Sequence, residues 1–367
     1  MADKSLKRVL VAAGGTGGHI FPGLAVAEAL EKRGVEIFWI GAKGDLVKEL
    51  VPEKFHPQFI SAQGVRGKSF TTLLKMPWML LRSIGQAYRL LRTLKPDVVL
   101  AMGGYVSGPV GIAAKLARIP LVVHEQNSIA GMTNRYLAKL ACCVLQAFPG
   151  AFPENARVKT IGNPVRETIL NMSEPAVRFQ GRTGPLRLLI LGGSQGVHYM
   201  NDVLPPVLAA LPASVRPDIW HQAGKRHFEE TQKRYENHQC PAKVTAFIED
   251  MKVAYEWADL VVARSGALTV SEIAAGGVPS IFIPFPFAVD NHQYHNARFL
   301  EGAQAALIME ENRFDRERFV AWLTEWAHDR TPLLNMAKAA KQQARPQAVK
   351  AAVDFLNSFS YHGRPLQ

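Results

Sequence analysis

The sequence predicts an α/β protein made of two doubly wound, Rossmann-like parallel-sheet domains facing across a cleft. Three observations lead there: a length of 367 residues, apolar strand-like runs that do not alternate with polar residues, and glycine pairs where those runs end. The length suffices for two domains, each with its own core. Strands apolar on both faces need helices on both sides, as in parallel sheets, and such sheets bind ligands beyond the carboxyl ends of their strands. The glycine loops mark those ends.

The elements follow in chain order. Arg8 to Ala13 is a strand entering the loop Gly14-Gly-Thr-Gly-Gly-His19, Phe21 to Arg33 has helical apolar spacing, and Val35 to Ile40 is the next strand. Asp97 to Met102 meets Gly103-Gly-Tyr-Val-Ser-Gly108 and an apolar helix, after which Pro120 to His124 returns to the sheet. Leu186 to Leu191 runs into Gly192-Gly-Ser-Gln-Gly196 and a helix from about Tyr199. Leu260 to Ala263 enters a Ser/Gly turn and a helix carrying Glu272. The stretch from Glu167 to Gly184 is polar and irregular, which places a boundary between Arg166 and Pro185 and gives domains 1–166 and 167–345. The segment from Ala348 to Phe359 reads as a terminal helix.

Composition narrows the function. Hydrophobic residues at 48% and charged residues at 20% are ordinary globular values and exclude a disordered chain. A net charge of +12 favours a polyanionic partner: nucleic acid, an anionic membrane or a phosphorylated substrate. Cys142 and Cys143 are adjacent and poorly disposed to pair with each other, so with Cys240 they fit a reduced, cytoplasmic protein. The start of the chain lacks the features of a signal peptide, and no apolar run approaches the ~20 residues of a membrane span, so any membrane contact is expected to be peripheral.

The first glycine loop nearly matches a dinucleotide fingerprint and fails twice. Ile20 occupies the third glycine position, and the strand ending Trp39-Ile-Gly-Ala-Lys43 lacks the acidic residue for an NAD ribose, so a nicotinamide cofactor is disfavoured. The glycine pairs instead suit a phosphate-bearing substrate, or simply tight strand-helix turns. His19 sits where a positive helix end favours neutral imidazole, as a general base requires, although a structural histidine fits there too. A carboxylate at Glu272 can accept from two ribose hydroxyls beside a helix start that takes the diphosphate; it also reads as a favourable charge near a helix N-terminus. From Gly64 to Lys95 the residues Arg66, Lys68, Lys75, Arg82, Arg89, Arg92 and Lys95 occur without an acid around Leu73-Leu-Lys-Met-Pro-Trp-Met-Leu-Leu81. That pattern suits an anionic membrane surface or a core helix with a basic outer face, and no nucleic-acid motif accompanies it.

In combination these segments resemble the MurG family, the bacterial N-acetylglucosaminyltransferases of peptidoglycan synthesis. The resemblance runs from about Arg8 to the terminal helix and rests on Gly14 to Gly23, Gly103 to Pro109, His124-Glu-Gln-Asn127, Gly162-Asn-Pro-Val-Arg166, Gly192 to Gly196 and Arg264 to Gly277. It implies a GT-B fold, with segment 346–367 packing back on the N-terminal domain. It also implies inverting transfer of N-acetylglucosamine from UDP-N-acetylglucosamine to the C4 hydroxyl of undecaprenyl-diphosphate-linked muramyl pentapeptide. The implied location is the cytoplasmic face of the inner membrane, among other cell-wall synthesis proteins.

By the same resemblance, Thr16, Gly17, Gly18 and Asn127 lie near the donor sugar and the reacting centre. Arg166 and Ser194 contact the donor diphosphate, and the main chain at Ile248 pairs with uracil. Ala267, Leu268 and Thr269, followed by Val270 and Ser271, present the helix start, Glu272 holds the ribose and Gln293 reaches the sugar. Gly14, Gly15, Gly103, Gly104 and Tyr105 form the acceptor-diphosphate side. The base is His19, with Glu125 a second candidate. With no Asp-x-Asp pair in the sequence, the helix start is expected to replace a metal, and no tightly bound cofactor is expected. The competing readings are a non-hydrolysing UDP-N-acetylglucosamine 2-epimerase, a related lipid glycosyltransferase using diacylglycerol, and a non-catalytic sugar-nucleotide sensor.

Overall fold

A computed structural model of the chain describes residues 6–64, 70–192 and 198–358, with residues 70–75 described by their backbone. The chain divides into two units, one reaching Val165 and rejoined from Arg345, the other Arg166–Ala344. Arg166 thus opens the second unit, and Arg345 already belongs to the first.

The first unit holds seven strands: β1 (Arg8–Ala12), β2 (Glu36–Ala42), β3 (Pro57–Ile60), β4 (Val98–Ala101), β5 (Leu121–Glu125), β6 (Cys143–Gln146) and β7 (Val158–Thr160). They pair in the order β3-β2-β1-β4-β5-β6-β7, with every pairing parallel. The order reverses between β1 and β4, so the glycine loop after β1 and the Gly103-Gly104 turn after β4 meet at the switch point, where such sheets open a crevice.

Alternate residues of β1 feed different cores, because successive side chains point to opposite faces. Val9 and Val11 pack with Trp39 and the helix Gly17–Glu31, while Leu10 packs with Phe38, Ile40, Leu91 and Val110. The terminal helix Ala348–Asn357 closes the first of these cores with Ala352, Val353 and Leu356. An Arg33–Asp354 pair at 2.9 Å and Lys159 over the Phe355 ring at 4.9 Å flank that seam. The apolar burial dominates there, since an exposed ion pair contributes at most about 1 kcal/mol.

The second unit repeats the plan with β8 (Arg187–Leu191), β9 (Asp218–Gln222), β10 (Lys243–Thr245), β11 (Leu260–Ala263), β12 (Ser280–Phe282) and β13 (Ala306–Ile308). Their order is β10-β9-β8-β11-β12-β13, again all parallel, with the reversal between β8 and β11. The helix Ala267–Gly276 springs from β11 beside that reversal.

Candidate active site

In the first unit the ends of β1, β4 and β5 bring His19, the 103–105 turn and the His124-Glu-Gln-Asn127 segment together. Thr16 is the N-cap of the helix Gly17–Glu31, with extended backbone, so the helix begins at Gly17, ahead of the expected Phe21. That start places His19 in its first turn. The Nδ1 of His19 lies 3.0 Å from Gln126 Oε1. Gln126 Nε2 lies 3.1 Å from His124 Nδ1 and 3.3 Å from the His124 carbonyl. His124 Nε2 donates to the Gly162 carbonyl at 3.1 Å. Burial lowers the pKa of His124 to about 4, outweighing its hydrogen bond to Gly162, with His19 adding a small lowering. The imidazole of His124 is therefore neutral near pH 7.

Gly103 and Gly104 make room for His19. Both have positive φ, 94° and 75°. A Cβ at Gly103 would sit 3.2 Å from the His19 ring, and one at Gly104 would sit 2.9 Å from the Gly14 carbonyl oxygen. A Cβ at Gly103 would press on the imidazole and one at Gly104 would meet the Gly14 backbone first, so space and positive φ both favour glycine here.

Glu125 is buried and saturated. Its Oε1 accepts from Asn127 N (2.9 Å) and Asn127 Nδ2 (3.3 Å), and its Oε2 from Gly131 N (3.0 Å) and Asn134 Nδ2 (2.9 Å). Those four hydrogen bonds tie the carboxylate to the turn between Asn127 and Asn134.

Asp45, which carried no sequence signal, braces the first glycine loop. It accepts from Ala42 N and Val47 N at 3.0 Å each and from Gly15 N at 3.4 Å. The Gly15 N–H therefore faces a carboxylate, which disfavours it as a phosphate donor. Burial, then the charge of Asp45, raises the pKa of the Tyr105 phenol.

In the second unit the helix Ala267–Gly276 is polarised along its length. Its N-cap is Gly266, which brings no side chain to close the start formed by Ala267, Leu268 and Thr269. Val270 N bonds back to Gly266 O at 3.0 Å, and Ser271 Oγ to Ala267 O at 2.9 Å. The fully buried Ser265 just before the start has a hydroxyl with no hydrogen-bond partner. At the other end Arg178 donates to Gly276 O at 2.6 Å and to Gly277 O, and Lys341 donates to Ala275 O at 2.8 Å. Burial and then Arg182 lower the pKa of Arg178 to about 10, so it remains charged. Cations satisfy the negative end, and the opposite end carries the sign that attracts an anion.

Glu272 stands in the second turn of this helix, too far along for a favourable N-terminal charge. Arg166 Nε and a terminal nitrogen donate to its Oε1 at 3.1 and 2.7 Å, and the Tyr255 hydroxyl to its Oε2 at 3.3 Å. Burial, then the neighbouring Glu272, raises the Tyr255 pKa well above its ordinary value. Arg166 and Glu272, assigned to diphosphate and ribose, thus hold each other. Ile248 N donates to the buried Gln222 Oε1 at 3.2 Å, and Gln293 Oε1 accepts from Phe285 N at 2.9 Å. Arg264 reaches the Ile283 and Pro284 carbonyls at 2.9 Å each and pairs with Glu311, bracing the loop that leads to Gln293. Ser194 lies outside the described residues.

Of the basic stretch, Arg66 and Lys68 lie outside the described residues, as does the side chain of Lys75. The helix Phe70–Leu94 splits its roles along its length. Ser83, Ala87 and Leu91 are buried at helical spacing, while Trp78 is 73% and Leu81 63% exposed. Arg82, Arg89, Arg92 and Lys95 are exposed. Among the described residues no helix is long and apolar enough to cross a membrane, and no three His, Cys, Asp or Glu side chains gather as metal ligands.

The glycosyltransferase family 28 N-terminal domain matches residues 9–146, and the glycosyltransferase family 28 C-terminal domain matches residues 187–352. A UDP-N-acetylglucosamine--N-acetylmuramyl-(pentapeptide) pyrophosphoryl-undecaprenol N-acetylglucosamine transferase of Coxiella burnetii is 52% identical over 348 residues, 95% of this chain and 97% of its own. Its namesake from Marinobacter nauticus is 47% identical over 356 residues, 97% of this chain and 98% of its own. The crystal structure of Acinetobacter baumannii MurG superposes with a TM-score of 0.80 at 38% identity, covering 95% of this chain and 99% of that one.

Proposed function

The chain belongs to glycosyltransferase family 28, in its MurG branch, and on that footing we propose how its residues divide the work. The enzyme transfers N-acetylglucosamine from UDP-N-acetylglucosamine to the C4 hydroxyl of the muramyl sugar of undecaprenyl-diphosphate-linked muramyl pentapeptide, with inversion. Identity near one half over nearly the whole chain disfavours the epimerase and the diacylglycerol glycosyltransferase.

The polarised helix Ala267–Gly276 is the observation that carries the donor assignment. Its start takes the diphosphate, stabilising the charge that grows on departing UDP in the role a metal ion fills elsewhere. Glu272 accepts from the ribose hydroxyls. As it does so, Arg166 leaves the carboxylate for the diphosphate, so one exchange organises both groups, and Gln293 turns to the sugar. Ile248 exchanges Gln222 for the uracil edge.

His19 is the base that removes the acceptor proton as the hydroxyl attacks C1, and Thr16, Gly17, Gly18 and Asn127 line the reacting centre. Glu125 is assigned to holding the 127–134 turn. The acceptor diphosphate runs along Gly103, Gly104 and Tyr105, with Gly14 contributing and Gly15 restrained by Asp45. Trp78 and Leu81, flanked by exposed cations, rest on an anionic membrane at the cytoplasmic face of the inner membrane.

The test is transfer of labelled N-acetylglucosamine from its UDP donor to a short-chain lipid-linked muramyl pentapeptide. Label is expected in the lipid fraction, with Glu272→Ala raising the KM for the donor about tenfold or more, as loss of charge-assisted hydrogen bonds requires. Label in lipid with an unchanged donor KM in Glu272→Ala would remove Glu272 from the ribose site. UDP release with the label left in water would overturn the acceptor.

A further inference from the structure

We propose that Gln126 and His124 are positioning residues that hold His19 as its Nδ1–H tautomer, leaving Nε2 as the atom that takes the acceptor proton. Two backbone carbonyls fix every proton in the chain His19–Gln126–His124–Gly162. The Gly162 oxygen can only accept, so His124 Nε2 carries a proton and donates at 3.1 Å. A neutral imidazole has one ring proton, so His124 Nδ1 is an acceptor; burial keeps this ring neutral, with a pKa of about 4.

The Gln126 amide is oriented by the same logic. The group facing His124 Nδ1 at 3.1 Å also faces the His124 carbonyl at 3.3 Å. Both are acceptors, so that group is the NH2, and the opposite side of the amide, 3.0 Å from His19 Nδ1, is the carbonyl oxygen. His19 must then donate from Nδ1, and its neutral ring carries its lone pair on Nε2. Asn163 Nδ2 donates to the Gln126 backbone carbonyl at 3.0 Å and pins the segment.

The charged groups nearby are committed elsewhere: Glu125 to Asn127, Gly131 and Asn134, and Asp45 to Ala42, Val47 and Gly15. The amide therefore sets the tautomer without placing a countercharge on the imidazole. A carboxylate partner would add a charge that favours imidazolium, whereas an amide orients the ring by hydrogen bonding alone.

The role in catalysis rests on His19 being the base, but the tautomer can be read separately. The experiment uses the full chain with 15N-labelled histidine, long-range 1H–15N imidazole spectra at pH about 8, where ordinary histidine is neutral, and His19→Gln to assign the signals. Wild type is expected to show His19 protonated at Nδ1. In Gln126→Met that proton should redistribute toward Nε2, and kcat should fall severalfold or more, up to the about 10²-fold that complete loss of a general base costs, with the donor KM unchanged. Gln126→Glu keeps an acceptor opposite Nδ1 and should retain the Nδ1–H tautomer, but its second oxygen would face the two acceptors on His124, so kcat should recover only in part.

Wild-type His19 protonated at Nε2 would overturn the proposal, as would a Gln126→Met enzyme with unaltered tautomer. A tautomer that switches in Gln126→Met without a fall in kcat would overturn its catalytic use. If His19→Ala then also keeps its kcat, the failure lies with His19 as base.

Discussion

Buried ionisable groups at the residue scale do opposite things depending on what surrounds their charged form. Four donors converge on the Glu125 carboxylate, whereas burial without such a set of partners lowers the pKa values of His124 and His221 to about 4 and about 3. The histidines carry a pH signature. Above the unfolded value of about 6.5 both states are neutral and nothing is lost. Below it the unfolded chain binds protons that the folded chain refuses, so stability falls with pH until the folded pKa values are passed. Each ring contributes a slope of up to about 1.4 kcal/mol per pH unit in that window. Urea melts between pH 7 and pH 4 should show this loss, and His221→Asn, which removes the ring that meets the Tyr235 hydroxyl in the core, should reduce the slope for the second unit; an unchanged slope would mean that His221 titrates normally. The sequence put His19 first as base with Glu125 a second candidate, and setting Glu125 aside draws on Gly131 and Asn134, which only the fold brings to the carboxylate.

Element by element, the long buried strands and their glycine loops were readable because a run such as Val9 to Ala12 is apolar on both faces. Strands of three residues, such as Lys243–Thr245 and Val158–Thr160, are too short for periodicity and exist by pairing with β9 and β6. The dinucleotide comparison stopped at Ile20 because the close-packing glycine comes later, at Gly23. A Cβ there would lie 2.8 Å from the Trp39 ring and 3.3 Å from Val11, so the helix Gly17–Glu31 lies directly on β1 and β2. Gly23→Val would gain a few tenths of a kcal/mol in helix propensity and lose about 1–3 kcal/mol or more to overpacking. The balance predicts a lower melting temperature for the first unit, with donor affinity of the second unchanged. A Gly23→Val protein as stable as wild type would show that Trp39 can yield.

On the scale of the whole molecule, the +12 charge named a class of partner and could not locate it. The fold separates two uses that the stretch Gly64 to Lys95 superimposes: Ser83, Ala87 and Leu91 face the core, and Trp78 and Leu81 face outward. Outward apolar side chains and nearby cations should give membrane binding with two separable terms. The electrostatic term should weaken as salt rises from about 0.1 to 1 M, because the screening length contracts from about 10 to 3 Å. The apolar term should survive salt, and fully burying a large side chain is worth about 1.5–3 kcal/mol. Sedimentation with phosphatidylglycerol-containing vesicles is the measurement. Trp78→Ala with Leu81→Ala should lower binding at least about tenfold at both salt concentrations, while Arg82→Gln with Arg89→Gln should lower it at low salt alone. Turnover of a water-soluble acceptor should be indifferent to either pair. Equal vesicle binding by all three proteins would detach this helix from the membrane and return the net charge to the substrates, whose two diphosphates are also polyanions.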